Sequence, residues 1–323
     1  MNKKNVVYLF PGQGAQYTGM ALDFLSSGSE SVKFFFETAS VILGKDVKAL
    51  LESDVETLKR TDVSQPVITL ANLTAAMVLG EQGYSPSACA GFSLGEYAAL
   101  VSAGVISAAD CLRLVKARGE AMQKTSDRLR EAAGGDASAA PGMAAVVGLA
   151  PEQVESLITQ WSAEGLKDLY PANNNSPKQV AVSGTAAALT EAQTRFKEAG
   201  ARRVLRLQVA GPFHSPLMAD SAETFRPALE ATEFRDPVIP IYSNVTGKCI
   251  LSGAEAKKLA LMQITSPVRW IEEEAAIAAA GTEACLEVGP GKVLQGLWRD
   301  AGIEIPCYSA GTVEDILQIG NNA

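Results

Sequence analysis

Apolar and polar positions along the chain fall into two rhythms. Short apolar runs at Val6–Phe10, 88–91, 240–243 and 285–288 have the length of buried strands, and helical patterns lie between them at the two ends of the sequence. That alternation predicts a mainly parallel sheet covered by helices, an α/β architecture. A helix is predicted over 109–124, opened by Ser107 and Asp110 at capping-box spacing. The middle of the chain reads differently. A small-residue stretch, 134–141 (Gly-Gly-Asp-Ala-Ser-Ala-Ala-Pro), has the composition of a mobile loop. After it come strand 143–149, helix 151–161, strands 169–173 and 179–183, helix 186–199 and strand 203–208. That βαββαβ order is the ferredoxin-like pattern. The expected organisation is therefore a large catalytic α/β domain from 1–128 and 209–323, a linker at 129–141 and an inserted ferredoxin-like subdomain at 142–208.

Composition narrows the classes. With 323 residues, 47% hydrophobic and 20% charged, the chain has the balance of a globular protein with one large domain and room for a smaller one. A net charge of -8 argues against a general nucleic-acid binder, which carries a basic surface to meet phosphates. Cys89, Cys111, Cys249, Cys285 and Cys307 are scattered and form no C-x-x-C pair, so neither a zinc site nor a disulfide framework is indicated. The apolar run at the N-terminus is too short for a signal peptide, and no apolar run looks long enough to span a bilayer. The expectation is a cytoplasmic protein with free thiols and no membrane partner.

Candidate chemistry begins at Gly91-Phe92-Ser93-Leu94-Gly95, a G-x-S-x-G pattern between an apolar strand and a helical run. A nucleophile on a sharp strand-to-helix turn needs small flanking residues, and the helix start leaves N–H groups, such as that of Leu94, free to meet an oxyanion. The same five residues also fit a plain βα turn with a serine N-cap. A serine hydroxyl needs a base to take its proton. The chain has one histidine, so any Ser/His pair uses His214, in Gly211-Pro212-Phe213-His214-Ser215, directly after the last strand of the middle region.

Two further residues refine this. Phe10-Pro11-Gly12-Gln13-Gly14-Ala15-Gln16 follows the first strand; Tyr17 stands where a dinucleotide fingerprint needs its third small residue, and no Gly-Lys-Ser/Thr follows, so neither NAD nor a P-loop phosphate is expected. Gln13 is then either a donor to a substrate oxygen or part of an ordinary glycine turn. On the 109–124 helix, Arg113, Lys116, Glu120 and Gln123 share one face, while Arg118 sits among Cys111, Leu114, Val115 and Met122 on the apolar one. An unpaired buried charge is costly, so Arg118 needs either an internal carboxylate or one on a substrate, gripped by its planar fork. The second option favours a small acyl group ending in a carboxylate.

Taken together, these segments resemble the malonyl-CoA:acyl carrier protein transacylase family, shared with the acyltransferase domains of polyketide synthases. The resemblance runs from the Gln13 loop through Gly91-Phe92-Ser93-Leu94-Gly95-Glu96-Tyr97, Arg118-Gly119, Asn175-Ser176-Pro177, the His214 segment and Ser266-Pro267-Val268-Arg269-Trp270 to Glu287-Val288-Gly289-Pro290-Gly291-Lys292-Val293-Leu294. It implies an α/β-hydrolase-like large domain, Ser93 as the acylated nucleophile and His214 as its base. It implies Gln13 and the Leu94 N–H as the oxyanion hole and Arg118 as the clamp for the malonyl carboxylate. Gln263 stands where the family's backbone carbonyl orients the histidine ring. Phe92 stands where the family often has histidine. Phe213 stands where a bulky ring goes with malonyl rather than methylmalonyl units in the polyketide relatives. Met122 and Phe213 are then expected beside the acyl group.

The implied reaction is ping-pong transfer of malonyl from coenzyme A to the phosphopantetheine thiol of acyl carrier protein. It needs no cofactor or metal, and the whole site lies in one chain, so a monomer is expected. Lys178, Lys197, Arg202, Arg203 and Lys292 are candidates for a basic rim facing the acidic carrier, or else an ordinary solvated face. A discrete polyketide acyltransferase is the nearest alternative. A serine esterase or thioesterase of the α/β-hydrolase kind would need an H-G-G-G oxyanion loop, which one histidine excludes, and has no use for Arg118. A catalytically dead scaffold does not account for the joint presence of Ser93, His214, Gln13 and Arg118.

Overall fold

The computed structural model describes residues 2–321. Its eight strands are β1 (Val6–Phe10), β2 (Pro86–Gly91), β3 (Gly142–Val147), β4 (Leu169–Ser176), β5 (Gln179–Gly184), β6 (Arg203–Arg206), β7 (Ala284–Glu287) and β8 (Cys307–Ser309). They form two sheets. One is parallel, in the order β2-β1-β7-β8, and the other antiparallel, in the order β4-β5-β3-β6. β1 is buried at every position, as expected for a central parallel strand covered on both faces.

Helices α1 (Leu22–Ser26), α2 (Glu30–Leu43), α3 (Val47–Leu51), α4 (Val55–Lys59) and α5 (Thr61–Glu81) lie between β1 and β2. α6 (Gly95–Ser102) and α7 (Ala108–Ala132) follow β2, and α8 (Pro151–Ala163) and α9 (Ala186–Glu198) pack on the antiparallel sheet. The rest are α10 (Ala219–Ala231), α11 (Gly253–Met262), α12 (Trp270–Ala279), α13 (Val293–Asp300) and α14 (Val313–Asn321). Separate apolar clusters underlie the two sheets. Val146, Val154, Val180, Val182 and Phe196 centre the smaller one.

Three sequence expectations change. Residues 240–243 form no strand: Ile241 bridges Cys89 at the open edge of β2, and Tyr242 then turns back to Cys249. Pro240 has no N–H to extend a ladder, although its carbonyl accepts from Cys89 N–H at 2.9 Å. α7 runs four residues into the stretch expected to be linker, because Leu129–Ala132 continue a helix capped by Ser107, whose hydroxyl accepts the Asp110 N–H at 3.0 Å. α5, with 21 residues, is long and apolar enough to cross a membrane, contrary to the sequence reading, and 83% of its apolar window is buried inside the fold. Its Ser64, Gln65, Thr69, Asn72 and Thr74 are fully buried. Their polarity breaks up the apolar pattern in sequence.

Candidate active site

The serine turn is a close fit of three backbone segments. β2 ends at Gly91, Ser93 sits on the turn, and α6 begins at Gly95. A Cβ on Gly91 would overlap the Gly95 carbonyl, and one on Gly95 would overlap the carbonyl oxygen of Phe10. A Cβ on Gly12 would overlap the Phe92 carbonyl oxygen, so the Gln13 loop passes directly over the turn. Ser93 itself has φ 51°, a left-handed conformation strained for a residue with a Cβ.

His214 also has positive φ, 56°, and is 4% exposed. Its segment is tied to the antiparallel sheet by Ser183, whose hydroxyl donates to the Phe213 carbonyl at 2.5 Å. The two side chains meet with Ser93 Oγ 2.7 Å from His214 Nε2. His214 Nδ1 lies 2.9 Å from the carbonyl oxygen of Gln263. A carbonyl only accepts, so Nδ1 carries the proton and Nε2 is left to accept from the serine hydroxyl. Burial, and then the nearby Arg118 charge, push the imidazole pKa down to about 4, so the ring is neutral.

Arg118 is 1% exposed. Its Nη2 donates to Gln263 Oε1 at 3.0 Å, and its guanidinium lies 5.5 Å from the centre of the Tyr97 ring. Nε has no partner, and no carboxylate reaches within salt-bridge distance among the described residues. Arg118 therefore is not one half of an internal ion pair. Burial lowers its pKa, and the Tyr97 and Glu96 side chains counteract that. Gln123, read as part of the solvated face of its helix, is instead buried: its Oε1 accepts the Thr61 N–H at 2.8 Å, capping the start of α5.

Ser93, His214, Gln13, Leu94, Arg118, Met122 and Phe213 all line one cavity of about 210 Å³ between the two sheets. The antiparallel sheet contributes Met143, Asn173, Asn175 and Ala181 to its wall. Gln13 Nε2 is turned toward Thr61 Oγ1 at 3.5 Å, whereas the backbone N–H groups of Gln13 and Leu94 donate to nothing among the described residues. Phe92 packs edge-on against Trp270, with ring centres 5.4 Å apart. Lys178, Lys197, Arg202, Arg203 and Lys292 are all exposed, but none lines this cavity; besides Arg118, the cationic side chain at its wall is Lys59.

Beneath the serine lies a polar network that the sequence reading missed. The Gln263 side chain donates from Nε2 to the Ser93 carbonyl at 3.0 Å and to Asn244 Oδ1 at 3.2 Å, besides accepting from Arg118. Asn244 accepts the Ser93 N–H at 2.7 Å. Glu96 accepts the Asn244 N–H at 2.7 Å, and burial pushes its carboxyl up to about 7. Glu96 directly follows G-F-S-L-G, so its place beside the serine turn is signalled by the motif. Asn244 had no periodic or motif signal around it.

A glycine-bracketed serine bonded to a neutral imidazole, in an α/β fold, is an arrangement suited to moving acyl groups, and the chain falls in the class of acyltransferases. The chain belongs to the acyl transferase domain family, whose model matches residues 7–316. It is 36% identical over 311 residues to the malonyl CoA-acyl carrier protein transacylase of Bacillus subtilis, covering 96% of this chain and 95% of that protein. Its structure is similar to that of MCAT from Streptococcus pneumoniae, with a TM-score of 0.90 and 30% identity, covering 98% of this chain and 100% of that one. It is equally similar to PlMCAT, solved with AntF, a type II PKS acyl-carrier protein: TM-score 0.89, 33% identity, with 99% and 100% of the two chains covered.

Proposed function

We propose that this protein transfers a malonyl group from malonyl-CoA to the phosphopantetheine thiol of an acyl carrier protein, through a malonyl ester on Ser93. The observation that carries the reading is the 2.7 Å contact from Ser93 to His214 in the same cavity as the buried, ion-pair-free Arg118. The thioester's malonyl carboxylate pairs with Arg118, beside Met122 and Phe213. Ser93 Oγ attacks the thioester carbonyl carbon while its proton passes to His214 Nε2. The Gln263 carbonyl holds Nδ1–H through this step and steadies the imidazolium. The oxyanion is met by the unpartnered N–H groups of Leu94 and Gln13; the Gln13 contribution comes from its backbone, since its side chain points to Thr61. Collapse breaks the carbon–sulfur bond, and the coenzyme A thiolate takes the proton back from His214. The carrier thiol then attacks the ester carbonyl as its proton passes to His214, and His214 returns that proton to Ser93 Oγ as the ester carbon–oxygen bond breaks.

The organisation that supports this is a large hydrolase-like α/β domain, 1–128 and 209–323, with a ferredoxin-like subdomain, 142–208, inserted above the serine. The order β4-β5-β3-β6 with two helices on one connection pattern favours that description. No step needs a metal or redox cofactor, and every residue in the scheme comes from one chain, which favours a monomer. The direct test is incubation with radiolabelled malonyl-CoA. Label remains covalently on the native protein and is absent from Ser93→Ala; label persisting on the variant would overturn the proposal. Offering carrier proteins from fatty-acid and type II polyketide systems to the labelled enzyme then assigns the acceptor.

A further inference from the structure

Asn244 lies on the loop after the Ile241 bridge, 151 residues from Ser93, and is fully buried. Its side-chain amide makes four hydrogen bonds. Oδ1 accepts the Ser93 N–H at 2.7 Å and Gln263 Nε2–H at 3.2 Å. Nδ2 donates to the Gly91 carbonyl at 2.7 Å and to Glu273 Oε1 at 2.8 Å. An asparagine amide offers two donor hydrogens and two acceptor lone pairs, so its capacity is filled and one flip state satisfies all four bonds. Its backbone is held as well, with the N–H on Glu96 Oε2 at 2.7 Å and the carbonyl accepting from Arg269 N–H at 2.8 Å.

The two bonds to Gly91 and Ser93 grip the chain on either side of Phe92, at the top of the turn. Ser93 is at φ 51°, and such strain persists only where the surroundings over-determine it. With the Ser93 carbonyl bonded to Gln263 at 3.0 Å, both ends of the serine residue are fixed by side chains from outside the turn. Glu273, from α12, is the unexpected member. It is fully buried, its second oxygen has no partner, and burial holds its carboxyl well above the ordinary range. A hydrophobic residue of similar size would be less costly there if only packing were at stake. What the carboxyl supplies is an acceptor that fixes the second Nδ2 hydrogen.

We propose that Asn244 is a positioning residue for acyl transfer: oriented by Glu273, its amide holds both sides of the serine turn so that Ser93 Oγ stays aimed at His214. The proposal rests on Ser93 being the nucleophile. The gripped turn keeps the hydroxyl at 2.7 Å from Nε2 and Leu94 at the cavity wall. Loss of the amide leaves Ser93 and His214 present but relaxes the strained turn.

The test is the single-turnover rate of malonyl-serine formation in Asn244→Ala, beside malonyl-CoA affinity and melting temperature. The expected result is a folded protein that binds malonyl-CoA as tightly as the native enzyme and acylates ~10²-fold more slowly, the scale of a small misplacement of reacting groups. Glu273→Gln and Glu273→Leu keep the question answerable should Asn244→Ala fail to fold. The first preserves an acceptor for Asn244 and acylates at the native rate; the second removes it and acylates ~10-fold more slowly, as for an amide hydrogen left without a partner. Native-rate acylation by folded Asn244→Ala, or equal impairment of the two Glu273 variants, overturns the proposal. Label on Ser93→Ala would instead remove the nucleophile reading on which it rests, so the two failures are distinguishable.

Discussion

Ser93 and His214 stand 121 residues apart in sequence, meet at 2.7 Å, and both occupy left-handed backbone, at φ 51° and 56°. Neither conformation is comfortable for a residue with a Cβ. Each is held by neighbours outside its own segment, Ser93 by Asn244 and the His214 segment by Ser183. The pair is thus a product of tertiary structure pressing on two local turns.

The glycines around the serine are the first place to test that pressure. Gly95→Ala puts a methyl group onto the Phe10 carbonyl oxygen, which belongs to the central strand and has little freedom to move. The expected cost is about 3 kcal/mol of stability, the upper part of the range for overpacking. Thermal melting of the purified variant checks it, and an unchanged melting temperature would mean that the turn is looser than the contact implies.

The neutral histidine predicts a pH profile. His214 in the fold takes a proton only near pH 4, against 6.5 for the unperturbed side chain. Acylation therefore rises through about pH 4 and is flat at neutral pH, and a midpoint near 6.5 would contradict the buried, neutral ring. The same shift affects stability. Between these two pH values the unfolded chain binds a proton that the fold refuses, so the contribution is complete above 6.5 and lost as pH falls toward about 4. Its size is on the order of 3 kcal/mol at most, read as falling melting temperature over that window. In Arg118→Met the second cause of the shift disappears, and the acylation midpoint moves upward.

How far these features could be read in the sequence depended on their periodicity. Val6–Phe10 is a continuous apolar run, and the strands and helices from β3 to β6 follow one another with clear changes of period, so these were legible; the three-residue β8 was not, and the apolar 240–243 imitated a strand that does not form. α5 was not, because Ser64, Gln65, Thr69, Asn72 and Thr74 are buried polar groups that break the apolar stripe, and Pro66 lies within it. At the site, Ser93, His214 and Arg118 announced themselves by motif, by uniqueness and by an awkward position on a helix. Asn244 and Glu273 carry none of these signals. Their importance is a matter of contacts made across the fold, which a one-dimensional pattern does not contain.

Arg118→Ala separates acyl groups by charge. Among the described residues no carboxylate lies within salt-bridge distance of the guanidinium, so a bound malonyl carboxylate can supply a direct partner. Malonyl transfer should fall by ~10²-fold or more, the equivalent of about 3 kcal/mol for a buried charge-assisted pair, while acetyl transfer is kept or gained. Competition between malonyl-CoA and acetyl-CoA measures this directly. Malonyl transfer surviving at the native level would remove Arg118 from the substrate site.

Gln263 allows the clamp and the base to be perturbed separately. Its backbone carbonyl accepts from His214, and its side chain accepts from Arg118 and donates to Ser93. Gln263→Glu retains the carbonyl, so the histidine tautomer is kept, while the new carboxylate offsets the Arg118 charge and moves the acid limb of the pH profile upward, as in Arg118→Met. The new carboxylate stands about where Oε1 lies 3.0 Å from Arg118 Nη2, occupying the guanidinium that malonyl needs. KM for malonyl-CoA should then rise ~10-fold or more, since a buried internal pair must be broken before substrate binds. The lost bond from Nε2 to the Ser93 carbonyl lowers kcat as well, by ~5-fold for one hydrogen bond. Gln263→Leu, with no carboxylate, shows the kcat effect without the competition, leaving KM closer to native. Steady-state kinetics on the two variants distinguishes these outcomes; equal KM values would mean that the side chain at 263 does not reach the carboxylate site.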